Sequence, residues 1–202
     1  MAGAVILARH GEPALSRRVT LTAAGYRDWW ARYELGGLKA NQAPPDGLVA
    51  MARSADAVLS STRERSIESA RAVIGERSFE SDGLFIEAPL PSPPLPAWFR
   101  LPPRWWGVLS RLCWWLFDYH DGQESRAEAQ ARAARAARAL TERAGEGREV
   151  MLIAHGFFNF MIGRALAARG WRRTLEQGFG YWSARRFEPP RRPPLRPRRA
   201  VG

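Results

Sequence analysis

The chain has 202 residues, 46% of them hydrophobic, with 31 Lys and Arg against 20 Asp and Glu. That length and apolar content suffice for one globular domain with a sizeable core, which sets aside a wholly disordered or fibrous chain. The formal net charge of +11 makes the surface attract anions, and a single cysteine, Cys113, excludes an internal disulfide and fits a reducing compartment.

Part of the positive charge lies in residues 189–202, a Pro/Arg-rich stretch with little to pack that reads as a basic disordered tail. No nucleic-acid partner is expected from it. No positively charged region precedes the first apolar run, and no apolar stretch approaches the roughly 20 residues of a membrane span, so a cytoplasmic location is expected.

In chain order, Ala4–Ala8 is a short continuous apolar run of the kind that forms a buried strand, and Arg9-His10-Gly11-Glu12 follows it directly. Leu21–Gly25 opens a helix with Thr22 as its cap. Ala57–Ser60 reads as a second buried strand, leading into a helix over Glu64–Ile74. The stretch from Pro89 to Phe117 is unusual: a proline run to Pro96, then Trp98, Trp105, Trp106, Trp114 and Trp115, five of the nine tryptophans. Trp105, Leu109, Leu112 and Leu116 recur at helical spacing and predict a short helix there. Ser125 and Glu128 have capping-box spacing ahead of a long helix over Ala127–Arg143. Val150–Ala154 is a third buried strand, followed by His155-Gly156 and a helix over Phe157–Arg169 that Gly170 can end. Phe179–Ala184 is expected to be a late strand. Apolar strands alternating with helices predict an α/β fold, a three-layer α/β/α sandwich around a mostly parallel sheet. One domain over residues 1–188 is expected, with a Pro/Trp-rich lid or insertion at about 89–120.

In an open parallel sheet, ligands bind beyond the carboxyl ends of the strands. The first strand delivers Arg9 and His10 there, the second leads to Arg65, and the third delivers His155 and Gly156. Two arginines, two histidines and helix N-termini describe a site for a small dianion such as phosphate. A neutral imidazole within such a clamp is also a nucleophile toward phosphorus, and the leaving alcohol then needs a carboxylic acid nearby. The histidines and the cysteine show no metal-ligand spacing, and no nucleotide fingerprint or Gly-x-Ser-x-Gly elbow appears, so neither metal nor cofactor is expected. Taken singly, each histidine has a plainer reading as a hydrogen-bonded core residue, and Arg65 as a helix-surface arginine. The two matched strand-His-Gly contexts favour the site.

These elements resemble the histidine phosphatase superfamily, which includes the cofactor-dependent phosphoglycerate mutases. Leu7-Ala8-Arg9-His10-Gly11-Glu12 matches the family's first signature, and Leu21-Thr22-Ala23-Ala24-Gly25 its Leu-Thr-x-x-Gly element. Ser61, Arg65, Ser69 and Ala70 match the second signature, Gly122–Ser125 resembles a Gly-Glu-Ser element, and Val150–Gly156 matches the last. The resemblance implies a phosphoglycerate mutase-like fold, with His10 as phosphoryl acceptor and Arg9, Arg65, His155 and Gly156 around the phosphate. Glu87, after Phe85-Ile86, is the implied proton donor, with Asp82 or Glu12 as substitutes. Pro13 and Ser66 stand where the family usually has a hydroxyl residue and an alanine, and the proline run replaces a Gly-x-x-Glu-Gly stretch. Gly11 is expected to let the backbone pass close to the anion.

The implied activity is a metal-independent phosphomonoesterase acting on a small phosphate ester. Alternatives are a phosphoglycerate mutase, a phosphohistidine protein phosphatase, a non-catalytic phospholigand-binding protein and a basic nucleic-acid-binding protein. The tryptophan segment admits three roles: packing in its own core, covering the site to favour an apolar ester, or presenting a patch to a protein or membrane. The substrate and the oligomeric state, monomer or homodimer, are open at this level.

Overall fold

The structure is a computed structural model that describes residues 3–190. The tail expected at 189–202 lies almost entirely outside the described residues. Six strands form one sheet: β1 (Ala4–Arg9), β2 (Ala57–Ser61), β3 (Glu80–Asp82), β4 (Glu149–Ala154), β5 (Arg172–Glu176) and β6 (Ala184–Glu188), in the order β3-β2-β4-β1-β6-β5. The four strands β3, β2, β4 and β1 run parallel, and β6 and β5 add an antiparallel edge. The helices are α1 (Ala23–Leu35), α2 (Asp46–Ser54), α3 (Glu64–Ile74), α4 (Pro103–Phe117), α5 (Arg126–Arg143) and α6 (Gly156–Ala168).

Alternation along the central strands sorts the core into two layers. Val5, Leu7, Val150 and Leu152 face α5 and α6, packing on Ala133, Ala137, Phe158 and Ile162. Ile6, Ala8, Met151 and Ile153 face the other way, onto Leu48 and Ala52 of α2 and Ala70 and Val73 of α3. This is the expected three-layer sandwich. A third cluster stands apart: Tyr26, Trp29 and Tyr33 of α1 pack on Trp106 of α4.

The local signals for the helices are met. The Thr22 hydroxyl accepts from Gly25 N–H at 3.1 Å, and Ser125 and Glu128 close both halves of a capping box. Gly170, at φ +82°, ends the turn after α6. No helix among the described residues is long and apolar enough to cross a membrane.

One expectation is corrected. Phe179–Ser183 is not a strand but a loop, and β6 begins only at Ala184. Ser183 and Gly178 explain the shift: the Ser183 hydroxyl donates back to the carbonyls of Gly178 and Gly180, closing a local turn instead of a ladder. The stripe Trp105, Leu109, Leu112, Leu116 lies on a helix as expected; Leu109 is partly buried against the third cluster, and the other three turn outward. Trp105, Leu112 and Leu116 are 51%, 50% and 64% exposed, while Trp106 and Trp114 on the opposite face are fully buried. With aromatics on both faces, periodicity alone does not say which one packs.

Candidate active site

The register of the central strands builds the site. β1 and β4 are hydrogen-bonded neighbours with Arg9 opposite Ala154, so the next residue of each, His10 and His155, emerges side by side. His10 N–H donates to the Ala154 carbonyl at 3.0 Å, and the two imidazoles stand edge to face with centroids 5.2 Å apart. β2 lies on the far side of β4, with Ser60 opposite Ile153, which brings the Ser61 hydroxyl 2.9 Å from Nε2 of His155. Both histidines are buried, at 2% and 1% exposure.

Hydrogen bonding assigns the protons. Nδ1 of His10 lies 2.7 Å from the carbonyl oxygen of Gly11, which only accepts, so Nδ1 carries the hydrogen and Nε2 keeps a lone pair. Nδ1 of His155 lies 3.4 Å from the Arg65 guanidinium, which only donates, so His155 carries its hydrogen on Nε2 and gives it to Ser61. Burial, then the neighbouring Arg65, holds the pKa of each histidine well below its ordinary value; Arg9 acts in the same direction on both. Both rings are therefore neutral at physiological pH.

Around them stands a group of cations. Arg9 stacks on the Tyr181 ring at 4.4 Å and donates to the Phe179 carbonyl. A Cβ on Gly156 would come within 3.2 Å of Arg9 Nε, so a glycine there makes room for the arginine. Arg65 is fully buried and is partly turned toward the end of α1. It donates to the Tyr33 carbonyl at 2.9 Å and pairs with Glu34 at 2.8 Å. Arg17, which no motif singled out, donates to the Tyr33 hydroxyl at 2.9 Å and lies 5.7 Å from the Tyr181 ring. Arg9, Arg17 and Arg65 each keep a buried Nε–H without a partner.

Glu87 reaches the same place. Its carboxylate accepts from Phe158 N–H at 2.9 Å and Phe157 N–H at 3.4 Å, so it caps the helix that begins after His155. Arg132 fixes its approach by donating to the Leu84 and Ile86 carbonyls while pairing with Glu124 at 2.6 Å. Asp82 and Glu12 are elsewhere: Asp82 caps a turn at Leu84, and Glu12 is exposed, 3.5 Å from Lys39.

Arg9, His10, Arg65, Glu87, His155 and Gly156 all line one cavity of about 390 Å³. The structure thus brings every sequence-expected site residue together. Sequence reasoning missed Arg17 and Arg111, which line it too. Arg111, on α4, has its pKa lowered to about 10 by burial, against the opposing effect of Glu87, and lies 3.7 Å over the Phe157 ring. Gly11 has a close neighbour of its own. A Cβ there would come within 2.2 Å of the Trp182 ring, so the missing side chain accommodates that indole. Among the described residues, no group of three or more His, Cys, Asp or Glu is placed to hold a metal ion.

Sheet order, crossovers and the position of the cavity define a phosphoglycerate mutase-like α/β fold. Solved structures similar to it include a mycobacterial glucosyl-3-phosphoglycerate phosphatase in complex with VO3, at TM-score 0.59 and 21% identity, covering 92% of this chain and 90% of that one. A protein described as mycobacterial hydrolase 1 matches at TM-score 0.59 and 21% identity, over 92% of this chain and 88% of its own. A mutant phosphoserine phosphatase from Entamoeba histolytica, in complex with phosphoserine, matches at 0.53 and 15% identity, over 82% and 80%. No family model and no curated protein sequence matches the chain.

Proposed function

We propose that the protein is a phosphomonoesterase of the histidine phosphatase type, working through a phosphohistidine at His10. One observation carries the reading: a neutral, buried imidazole with a free Nε2 lone pair lines one cavity with Arg9, Arg17 and Arg65, a concentration of positive charge that favours an anion. The phosphatase descriptions of two structures of the same fold accord with it.

In the first step Nε2 of His10 attacks phosphorus, the N–P bond forms and the ester P–O bond breaks. The arginines and His155 stabilise the charge on the transferring phosphoryl oxygens. The leaving alkoxide takes a proton from the Glu87 carboxyl. In the second step water attacks the phosphohistidine, gives its proton to the Glu87 carboxylate, and the N–P bond breaks to release phosphate. The positive charge comes from the chain's own arginines, so no step calls for a metal. Arg65 has to share its guanidinium between Glu34 and the phosphate, and the 2.8 Å ion pair keeps it in position until the anion arrives. We assign the protein to the cytoplasm, where the partly buried Cys113 stays a thiol.

The test is turnover of p-nitrophenyl phosphate in EDTA by the wild type and His10→Ala. The substitution is expected to remove at least about three orders of magnitude of kcat, together with an acid-labile phosphoenzyme. Activity surviving in His10→Ala overturns the proposal. Glu87→Gln is expected to slow alkyl esters far more than aryl esters, whose leaving groups need no proton; equal losses assign the acid to another group.

A further inference from the structure

Resting on that reading, we infer that the substrates are phosphate monoesters of apolar, chain-bearing alcohols. The chain lies between α1 and α4 and leaves across the outer face of α4. A cavity of about 390 Å³ is in the range that takes a whole small molecule, and the phosphate-binding end occupies only its floor.

The walls are mainly apolar. Beyond the phosphate-binding residues they are Trp29, Trp30, Leu90, Val108, Leu112 and Phe157, with Tyr26, Arg104 and Arg111 as the polar side chains among them. No Ser, Thr, Asn, Gln or Asp is among the described lining residues. Of the two tyrosines that line the cavity, Tyr33 accepts the Arg17 N–H at its hydroxyl and Tyr26 keeps a buried hydroxyl without a partner. A sugar or other polyhydroxylated leaving group needs neutral donors and acceptors on several sides, and these walls would leave its hydroxyls unpaired. An alkyl or prenyl chain needs none.

The mouth continues in the same character. Val108 and Leu112 line the cavity and are also 49% and 50% exposed. Trp105 and Leu116 extend the same helix face outward, and Phe179 stands at the mouth at 58% exposure. Gly107 lines the cavity with no side chain, and a Cβ there would stand in ordinary contact with Tyr26 Oη at 3.8 Å. An apolar strip that starts inside a phosphate-binding cavity and runs out along the helix is explained by a ligand with an anionic head and an apolar tail. A docking face for a macromolecule would have no reason to continue into the cavity.

The experiment measures kcat/KM of the full chain for n-alkyl phosphates from ethyl to decyl, below their aggregation concentrations, with p-nitrophenyl phosphate and glucose 6-phosphate alongside. The wild type is expected to gain about twofold or more per methylene beyond butyl, against about fourfold for complete burial. The double variant Val108→Asn/Leu112→Gln, at half-exposed positions, is expected to flatten that slope and lower decyl phosphate turnover about tenfold, with a much smaller change on ethyl phosphate. His10-dependent turnover that is indifferent to chain length, or that favours the sugar phosphate over the decyl ester, overturns the inference and leaves the phosphomonoesterase reading standing. Failure to turn over any phosphate, aryl ester included, overturns both.

Discussion

The floor and the roof of the cavity are held by different forces. The floor is set by main-chain pairing: Arg9 opposite Ala154 in a parallel ladder forces His10 and His155 together, whatever the side chains around them. The roof, α4, is set by side-chain volume. Trp106 stacks on Tyr26 at 5.7 Å and donates to the Leu21 carbonyl at 2.8 Å, while Trp114 packs against Phe157 and donates to the Glu124 carbonyl at 3.0 Å. Two indoles pin the helix, and its other face is left bare. A ladder places catalytic groups to within a fraction of an ångström, whereas a pinned helix can change its exposed side chains without moving the chemistry. In the proposed reaction the floor acts on phosphorus and the roof selects the ester.

The largest expected effect is on the roof. Trp106→Ala removes a fully buried indole and its hydrogen bond, and should cost about 3–5 kcal/mol by urea unfolding, with rapid protease cleavage near α4. A loss below about 1 kcal/mol would show that the roof is not pinned there. Gly11→Ala tests the floor, because its new methyl would overlap the Trp182 ring and Gln42 Oε1, which lies 2.7 Å from that position. A loss of about 1–3 kcal/mol is expected, with kcat on aryl phosphates falling as His10 shifts; wild-type stability would contradict the packing role.

The pH dependence of stability belongs to the floor as well. His10 and His155 hold pKa values well below normal in the folded chain and return to about 6.5 on unfolding. Below about pH 6.5 the unfolded chain binds protons that the folded one refuses. Stability is therefore full above that pH and declines as pH falls toward the folded values, by up to about 1.4 kcal/mol per unit for each histidine. Urea midpoints at pH 7.5, 6.5 and 5.5 check this, and His10→Asn should reduce the slope. The smallest effect is on the outer face of α4: Leu116→Gln, at a position 64% exposed, should stay within about 0.5 kcal/mol of wild type.

The legible parts of the fold were those with a strong local signature. β1, β2 and β4 are short apolar runs between turn residues, and α3 was read with the bounds it has, Glu64–Ile74. α2, β3 and β5 escaped. β3 is three polar, exposed residues and β5 is mostly exposed arginine, threonine and glutamate, so neither carries a hydrophobic period, and pairing with a neighbour alone makes them strands. Arg17 was invisible for a related reason: it lies outside every motif, and the fold of residues 13–22 carries it to Tyr33.

The sequence by itself determined where the candidate site residues gather, because Arg9-His10-Gly11 and His155-Gly156 each follow directly on a buried strand, and parallel strands end on one side of a sheet. Only the tertiary structure decided which partners those groups have: Glu34 against Arg65, Glu87 on the N-terminus of α6, Trp182 over Gly11, and the outward turn of Trp105, Leu112 and Leu116. The first three are contacts between residues far apart in the chain, and the last is set by which face of α4 the core takes up. Local periodicity carries no information about the segment that arrives to fill the opposite side.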